Sequence, residues 1–198
     1  MATSEQYLLA LVRLCQHGDT AAFGEIYDVL VDDLYRYVYA KVRDTDREDV
    51  CSDVFLKVWE NIGRYEAQKN VSFRSWFFTV ARNVVIDHYR KRRDTLEIDE
   101  ALQIPDMSVE ASPSREINRE LDNEYLLGLL GRLKDEYCQA ITLKYLNECS
   151  NAEIAQIMGK SETAIRILVH RGLKQLKTMV AGPEETDPPE NDPFGLED

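Results

Sequence analysis

Apolar residues recur along most of the chain at the three- and four-residue intervals of helices buried along one side. Leu8, Leu11, Val12 and Cys15 predict a short helix over residues 3–17. His17-Gly18-Asp19 ends it, with Asp19 or Thr20 capping the next. Phe23, Ile26, Tyr27, Leu30, Leu34, Tyr37 and Val38 predict a long helix over 21–42. The tyrosines at 35, 37 and 39 read as core and rim rather than as a stacking platform. A further helix starts at Asp44-Thr45-Asp46, with acids in its first turn, where the helix dipole favours them. Val50, Val54, Val58 and Ile62 form its buried stripe, with Cys51 and Phe55 beside it. Its far side carries Asp49, Ser52, Asp53 and Glu60 around Leu56. That leucine is either an ordinary exposed side chain or the apolar centre of a protein contact with a charged rim, and the pattern leaves both open.

A polar loop from Asn61 to Asn70 leads into Phe73–Arg93. Phe73, Phe77, Val80, Ala81, Val84 and Val85 share one broad face. The opposite arc carries Thr79, Arg82, Asn83, Asp87 and Arg90, and Arg90-Lys91-Arg92-Arg93 closes the segment. One cation caps a helix dipole; four in a row suit a phosphate backbone. Arg and Asn on the same arc are side chains able to read base edges.

Periodicity stops over residues 94–115, where Pro105, Pro113 and three serines sit among acids, a linker composition. It resumes near Ile117 with Leu121, Tyr125, Leu126, Leu129, Leu130 and Leu133. A helix follows over 136–146, with Cys138, Ile141, Thr142 and Tyr145 expected inward. Ser150 to Leu168 is the most diagnostic local pattern. Ser150 and Glu153 form a capping box, and Ala155 is small where two helices cross. Gly159 suits a left-handed turn, and Ser161 caps the second helix. Ile154, Met158, Ile165 and Leu168 pin the pair together. This is the layout of a helix-turn-helix, whose second helix enters the major groove. That helix presents Glu162, Thr163, Arg166, His170 and Arg171, then Lys174 and Lys177.

Charge is spread unevenly along the chain. The 198 residues carry a net charge of −12, which looks wrong for a nucleic-acid binder. Residues 94–124 hold −8 of it and residues 181–198 hold −7, which leaves +3 for the remainder. A phosphate backbone feels local charge, so the acidity of linker and tail does not argue against binding. The tail, with four prolines, is expected to be disordered. No apolar run approaches a membrane span, and the N-terminus lacks the features of a signal peptide. The cysteines (Cys15, Cys51, Cys138, Cys149) are scattered and read as reduced thiols, with no zinc-ligand spacing.

As a set, the 47–59 helix, the 73–93 helix and the 152–176 helix-turn-helix resemble the sigma factors of bacterial RNA polymerase, specifically the small extracytoplasmic-function (ECF) group. The resemblance implies an all-α chain of two small helical domains. A region 2-like domain would span 1–93 and a region 4-like domain 117–180, joined by a flexible acidic linker over 94–116 and followed by an acidic tail over 181–198. It implies a cytoplasmic protein without cofactor, metal or catalytic residues. Its partners would be promoter DNA and core polymerase, through the clamp helices of the largest subunit and the flap of the second-largest, with an anti-sigma protein as inhibitor. Asp49, Asp53 and Leu56 would lie on the clamp helices, which turns the acid-rimmed leucine into an expected contact. Tyr65 and Trp76 would take part in melting. Arg82, Asn83, Asp87, Arg90, Lys91, Arg92 and Arg93 would face the −10 element. Ser161, Glu162, Thr163, Arg166, His170, Arg171 and Lys174 would approach the −35 element. Two departures stand out: the apolar run Ile167-Leu168-Val169 within the recognition helix, and the acidic tail.

Two other classes are weighed. An autonomous helix-turn-helix regulator would dimerise on two half-sites and has no use for a second basic helix in another domain. A nuclease needs converging carboxylates or histidines, and the three histidines here stand apart in sequence.

Overall fold

The structure is a computed structural model that describes residues 5–67, 71–96 and 119–181. Of the expected linker over 94–116, residues 97–116 lie outside the described residues, as do residues 182–198 of the expected tail over 181–198 and the side chain of Arg93. Among those described there are helices and turns and no strand.

Helices α1 (Glu5–Gln16) and α2 (Thr20–Tyr39) form an antiparallel pair. The turn between them uses Gly18 at φ +93°, where a Cβ would be strained. Asp19 caps α2 by accepting from the backbone N–H of Ala21 (2.9 Å) and Ala22 (3.2 Å). Leu8, Leu11, Val12 and Cys15 are buried as their spacing predicts. A 3-10 turn (Asp44–Asp46) leads into α3 (Arg47–Ile62), whose stripe of Val50, Val54, Val58 and Ile62 is buried with Cys51 and Phe55. The Gln16 amide donates to the carbonyls of Ile62 (3.1 Å) and Tyr65 (2.7 Å), fixing the end of α1 to the exit of α3.

The basic helix α4 runs Phe73–Leu96, a little beyond the predicted end. Phe73, Phe77, Ala81 and Val85 are buried against the first three helices, while Val80 and Val84 are only partly covered. Phe78 is also fully buried, outside the predicted stripe, and packs edge-on to Tyr37 at 5.6 Å. A one-sided amphipathic reading misses it because α4 is covered from more than one direction: Phe78 meets Tyr37 of α2, and a helix of the C-terminal half also packs on α4. Burying one Phe contributes roughly 1.5–3 kcal/mol.

That half comprises α5 (Arg119–Gly131), α6 (Asp135–Ile141), a π-helical turn (Thr142–Leu146), α7 (Asn151–Met158) and α8 (Glu162–Ala181). The predicted capping box is present at Ser150 and Glu153. Gly159 takes the left-handed conformation at φ +64°, and Ser161 Oγ accepts from the Ala164 N–H. Ile154, Met158 and Ile165 are buried between α7 and α8, with Leu168 partly so. One expectation is corrected. Tyr145 does not point inward; it is 54 % exposed. The turn over 142–146 closes with Asn147 N–H donating to Thr142 O, five residues back. A π turn holds an extra residue, so the inward register advances to Leu143 and the Tyr145 ring swings out. The chain leaves the turn through Glu148, a non-glycine residue at φ +53°. A second feature had no sequence signal. Gly172 lies where α8 crosses α6, and a Cβ there would sit 2.6 Å from Ile141 Cδ1 and 3.1 Å from Tyr137 Cβ.

The two halves are packed together rather than standing apart. Ala140, Leu143, Ile154, Ile157 and Met158 join one continuous core with the residues of α1 to α4. Ala40, at the end of α2, joins a smaller cluster with Leu130, Leu133, Cys138 and Ile141. Polar groups stitch the seam. Asn147 Nδ2 donates to Asp33 O at 2.7 Å, and Arg74 Nη2 donates to Asn147 O at 2.8 Å. Arg74 and Arg36 both pair with the Asp33 carboxylate. The Gln139 amide donates to the Tyr37 hydroxyl at 3.2 Å, and Ser72 donates to Glu153 at 3.0 Å. Buried polar groups with partners on both sides specify one docking geometry.

Candidate nucleic-acid and protein interfaces

Three surfaces carry the sequence-predicted residues. The first is the outer face of α3. Asp49 and Asp53 are exposed, and Leu56 is 54 % exposed. Beside it Thr20, Phe23, Phe55, Leu56 and Trp59 line a shallow pocket of about 400 Å³. The Phe23 ring meets Trp59 at 4.9 Å, and Trp59 remains 39 % exposed. An open apolar hollow beside carboxylates fits a partner helix that offers an apolar side chain flanked by cations. Phe23 and Trp59 were missed from sequence. Trp59 three residues after Leu56 was the available signal, but only the α2–α3 packing brings Phe23 alongside.

The second surface is the polar arc of α4. Asn83, Asp87, Arg90 and Lys91 are exposed, and Asp87 pairs with Arg90 at 3.2 Å. Other predicted members stand differently. Arg92 Nη1 bonds Asp46 Oδ2 at 2.7 Å, and His88 Nε2 approaches the same oxygen at 3.2 Å, so the end of α4 is tied to the start of α3. The Thr45 hydroxyl, with Arg92 and His88, holds the Asp46 carboxyl below its ordinary range. Arg82 is half-buried, its charge felt by the Tyr37 hydroxyl that Gln139 meets across the seam, and its Nε is out of solvent and without a hydrogen-bond partner. Tyr65 is 8 % exposed. Its ring meets Phe73 edge-on and tilts against Trp76, both at 5.2 Å. Burial pushes the Tyr65 phenol up, and its hydroxyl has no partner. Trp76, half-buried, stacks on Phe73 at 5.4 Å. The aromatic trio thus sits folded together around the start of α4.

The third surface is α8. Ser161, Glu162, Thr163, Arg166, His170, Arg171 and Lys174 are all exposed, and Arg166 pairs with Glu162 at 3.6 Å. Leu168 and Val169 turn partly into the core, whereas Ile167 is 46 % exposed. Among the described residues no group of three or more His, Cys, Asp or Glu is placed to hold a metal ion. No helix among them is long and apolar enough to cross a membrane. All four cysteines are buried and free.

The Sigma-70 region 2 family matches residues 26–95, from within α2 to nearly the end of α4. The Sigma-70 region 4 family matches residues 123–176, which contain the helix-turn-helix. The chain is 30 % identical over 157 residues to the ECF RNA polymerase sigma factor SigM of Bacillus subtilis, covering 78 % of this chain and 93 % of SigM. The chain belongs to the ECF sigma factors.

It is also 35 % identical over 174 residues to the ECF sigma factor BldN of Streptomyces coelicolor, and there it spans 87 % of its own length and 66 % of BldN. Two solved structures share the fold. CnrH, in complex with the cytosolic domain of CnrY, superposes with a TM-score of 0.66 at 21 % identity, over 87 % of this chain and 96 % of that one. The RpoE sigma factor of Bartonella quintana, in complex with the anti-sigma factor NepR, gives 0.67 at 18 % identity, over 81 % and 98 %. This ECF sigma factor acts with RNA polymerase in promoter-directed transcription initiation, and an autonomous regulator is not favoured. Sigma factors in general are not enzymes.

Proposed function

We propose that the three surfaces divide the work of initiation. Asp49, Asp53 and Leu56, with Phe23 and Trp59 beneath, take the clamp helices of the largest polymerase subunit. The α4 arc of Asn83, Asp87 and Arg90, joined by Arg82, meets the −10 element, with Lys91, Arg92 and Arg93 on its backbone. Tyr65 and Trp76 act in melting once they turn outward. The α8 residues from Ser161 to Lys174 meet the −35 element. The region 2-like part spans 1–93 and the region 4-like part 117–180, the latter also meeting the flap of the second-largest subunit. The protein works in the cytoplasm, performs no bond chemistry, and is held by an anti-sigma partner, as CnrH and RpoE are crystallised with CnrY and NepR.

The observation that carries this reading is the coexistence of an acid-rimmed apolar hollow on α3 with two separate cation-bearing helices, α4 and α8, in one chain. A consequence follows from scale. Elements at −10 and −35 lie roughly 25 base pairs apart, on the order of 80 Å at about 3.4 Å per base pair. A compact body of this length is roughly 40 Å across. To engage both elements the packed halves must separate, which parts Gln139 from the Tyr37 hydroxyl beside Arg82. Run-off transcription with purified core polymerase on a genomic promoter library tests the reading. Discrete transcripts that need the protein, and fall sharply with Leu56→Asp, are expected. Protein-independent transcripts, or tight duplex binding without polymerase, would overturn it.

A further inference from the structure

The recognition helix carries one side chain on its DNA-facing arc that no phosphate or base-edge hydrogen bond accounts for. Successive residues of a helix turn by about 100°. The buried side of α8 holds Ile165 and Gly172, with Leu168 and Val169 leaning in. Thr163, Ile167, His170 and Lys174 follow one another at i, i+4, i+7 and i+11, so they form one row on the opposite side. All four are exposed, and Ile167 keeps 46 % of its surface. Ile167 is therefore not spare core. It lies within the cationic arc.

An isolated exposed isoleucine is ordinary on a free surface. It is not neutral once the helix enters a major groove, because the groove strips its water and that of the base pair it meets. A pair presenting only donors and acceptors there would lose hydrogen bonds that Ile167 cannot replace. Thymine differs from the other bases in presenting its C5-methyl group in the major groove. We propose that Ile167 is a specificity-determining residue that packs on the methyl group of a thymine in the −35 element and disfavours other bases at that position. The proposal rests on the assignment of α8 to the −35 element, and its test separates the two.

The test uses holoenzyme reconstituted from core polymerase and the full chain, on a promoter it transcribes. Each thymine of the −35 element, on both strands, is replaced singly by deoxyuridine, which removes the methyl and leaves every hydrogen-bonding group. Competition binding is then measured for the wild type, Ile167→Val and Ile167→Ala. One uracil should weaken the wild type by about 3- to 10-fold, the scale of one buried apolar contact. Ile167→Ala should bind the thymine promoter as weakly as the wild type binds that uracil promoter, and should no longer distinguish the two. Ile167→Val should retain part of the discrimination. Unchanged thermal unfolding of both variants shows that the fold is intact, as expected for an exposed position. If no uracil weakens the wild type, or if Ile167→Ala stays equally sensitive, the methyl contact is wrong although α8 still reads the element. If scrambling the whole −35 element leaves binding unchanged, the assignment of α8 fails and the methyl contact with it.

Discussion

The seam between the halves makes the most demanding prediction. Asn147 is 1 % exposed, and its side-chain amide crosses the seam to Asp33 O at 2.7 Å. Its own Oδ1 is buried without a partner. Asn147→Leu keeps the four-atom branched outline of the side chain and removes the crossing bond. Losing a buried hydrogen bond costs about 1–3 kcal/mol, and removing the stranded Oδ1 offsets part of that, so the net is about 1–2 kcal/mol. That raises the population of separated halves roughly 5- to 30-fold. The native thiols read this out. Cys149 is buried near Arg74 and Asp33, and burial pushes its thiol up to about 12. Cys138 donates to Ala40 O across the same seam at 3.4 Å. Cys51 lies inside the first half, its thiol pushed up to about 11 by burial. Alkylation followed by mass spectrometry should show Cys138 and Cys149 accelerated about 5- to 30-fold in the variant, with Cys51 at its wild-type rate. If all three accelerate together, the chain opens as one cooperative body and separable halves are wrong. If none does, the crossing bond contributes nothing.

The seam is also acid-sensitive. Burial penalises the Glu153 carboxylate, but the Ser150 N–H and hydroxyl, the Ser72 hydroxyl and Arg74 outweigh it and hold the carboxyl below its usual 4.5. A depressed native value gives stability that is present above about pH 4.5 and lost as pH falls through the native value. Glu153→Gln should lower neutral-pH stability and flatten that acid limb in denaturant titrations; an unchanged limb would refute the assignment. Gly172→Ala should lower the unfolding temperature, because overpacking on Ile141 and Tyr137 costs about 1–3 kcal/mol against a helix-propensity gain of about 1. Adding Ile141→Val should recover part of the loss. Gly24→Ala, in α2 with open space around it, should instead stabilise by about 0.5–1 kcal/mol. Leu56→Asp should weaken core-polymerase binding at least tenfold and leave unfolding unchanged, as for a central contact residue; unchanged affinity would refute a role for the hollow.

Local chemistry determined much of this protein before any packing was known. The stripes of α1 and α3, the Asp19 cap, the Ser150–Glu153 box and the left-handed Gly159 all follow from side chains within a few residues of one another. Such short-range signals are complete in the sequence because their partners are its neighbours. The placement of positive charge on α4 and α8, against the acidic stretches 94–124 and 181–198, was legible for the same reason. What needed tertiary structure involved residues distant in the chain. Phe78 is core because it meets Tyr37 of α2, and Arg82 leaves the exposed polar arc beside that same tyrosine, which Gln139 of the second half also meets. Tyr65 folds inward because Phe73 and Trp76 offer it an aromatic slot. Tyr145 escapes the core through a π turn that no periodicity announces. Phe23 reaches Trp59 through the packing of α2 on α3, and Gly172 is required only because α6 runs beneath it. Periodicity states which side of a helix avoids water; it does not state how many sides will be covered, or by what.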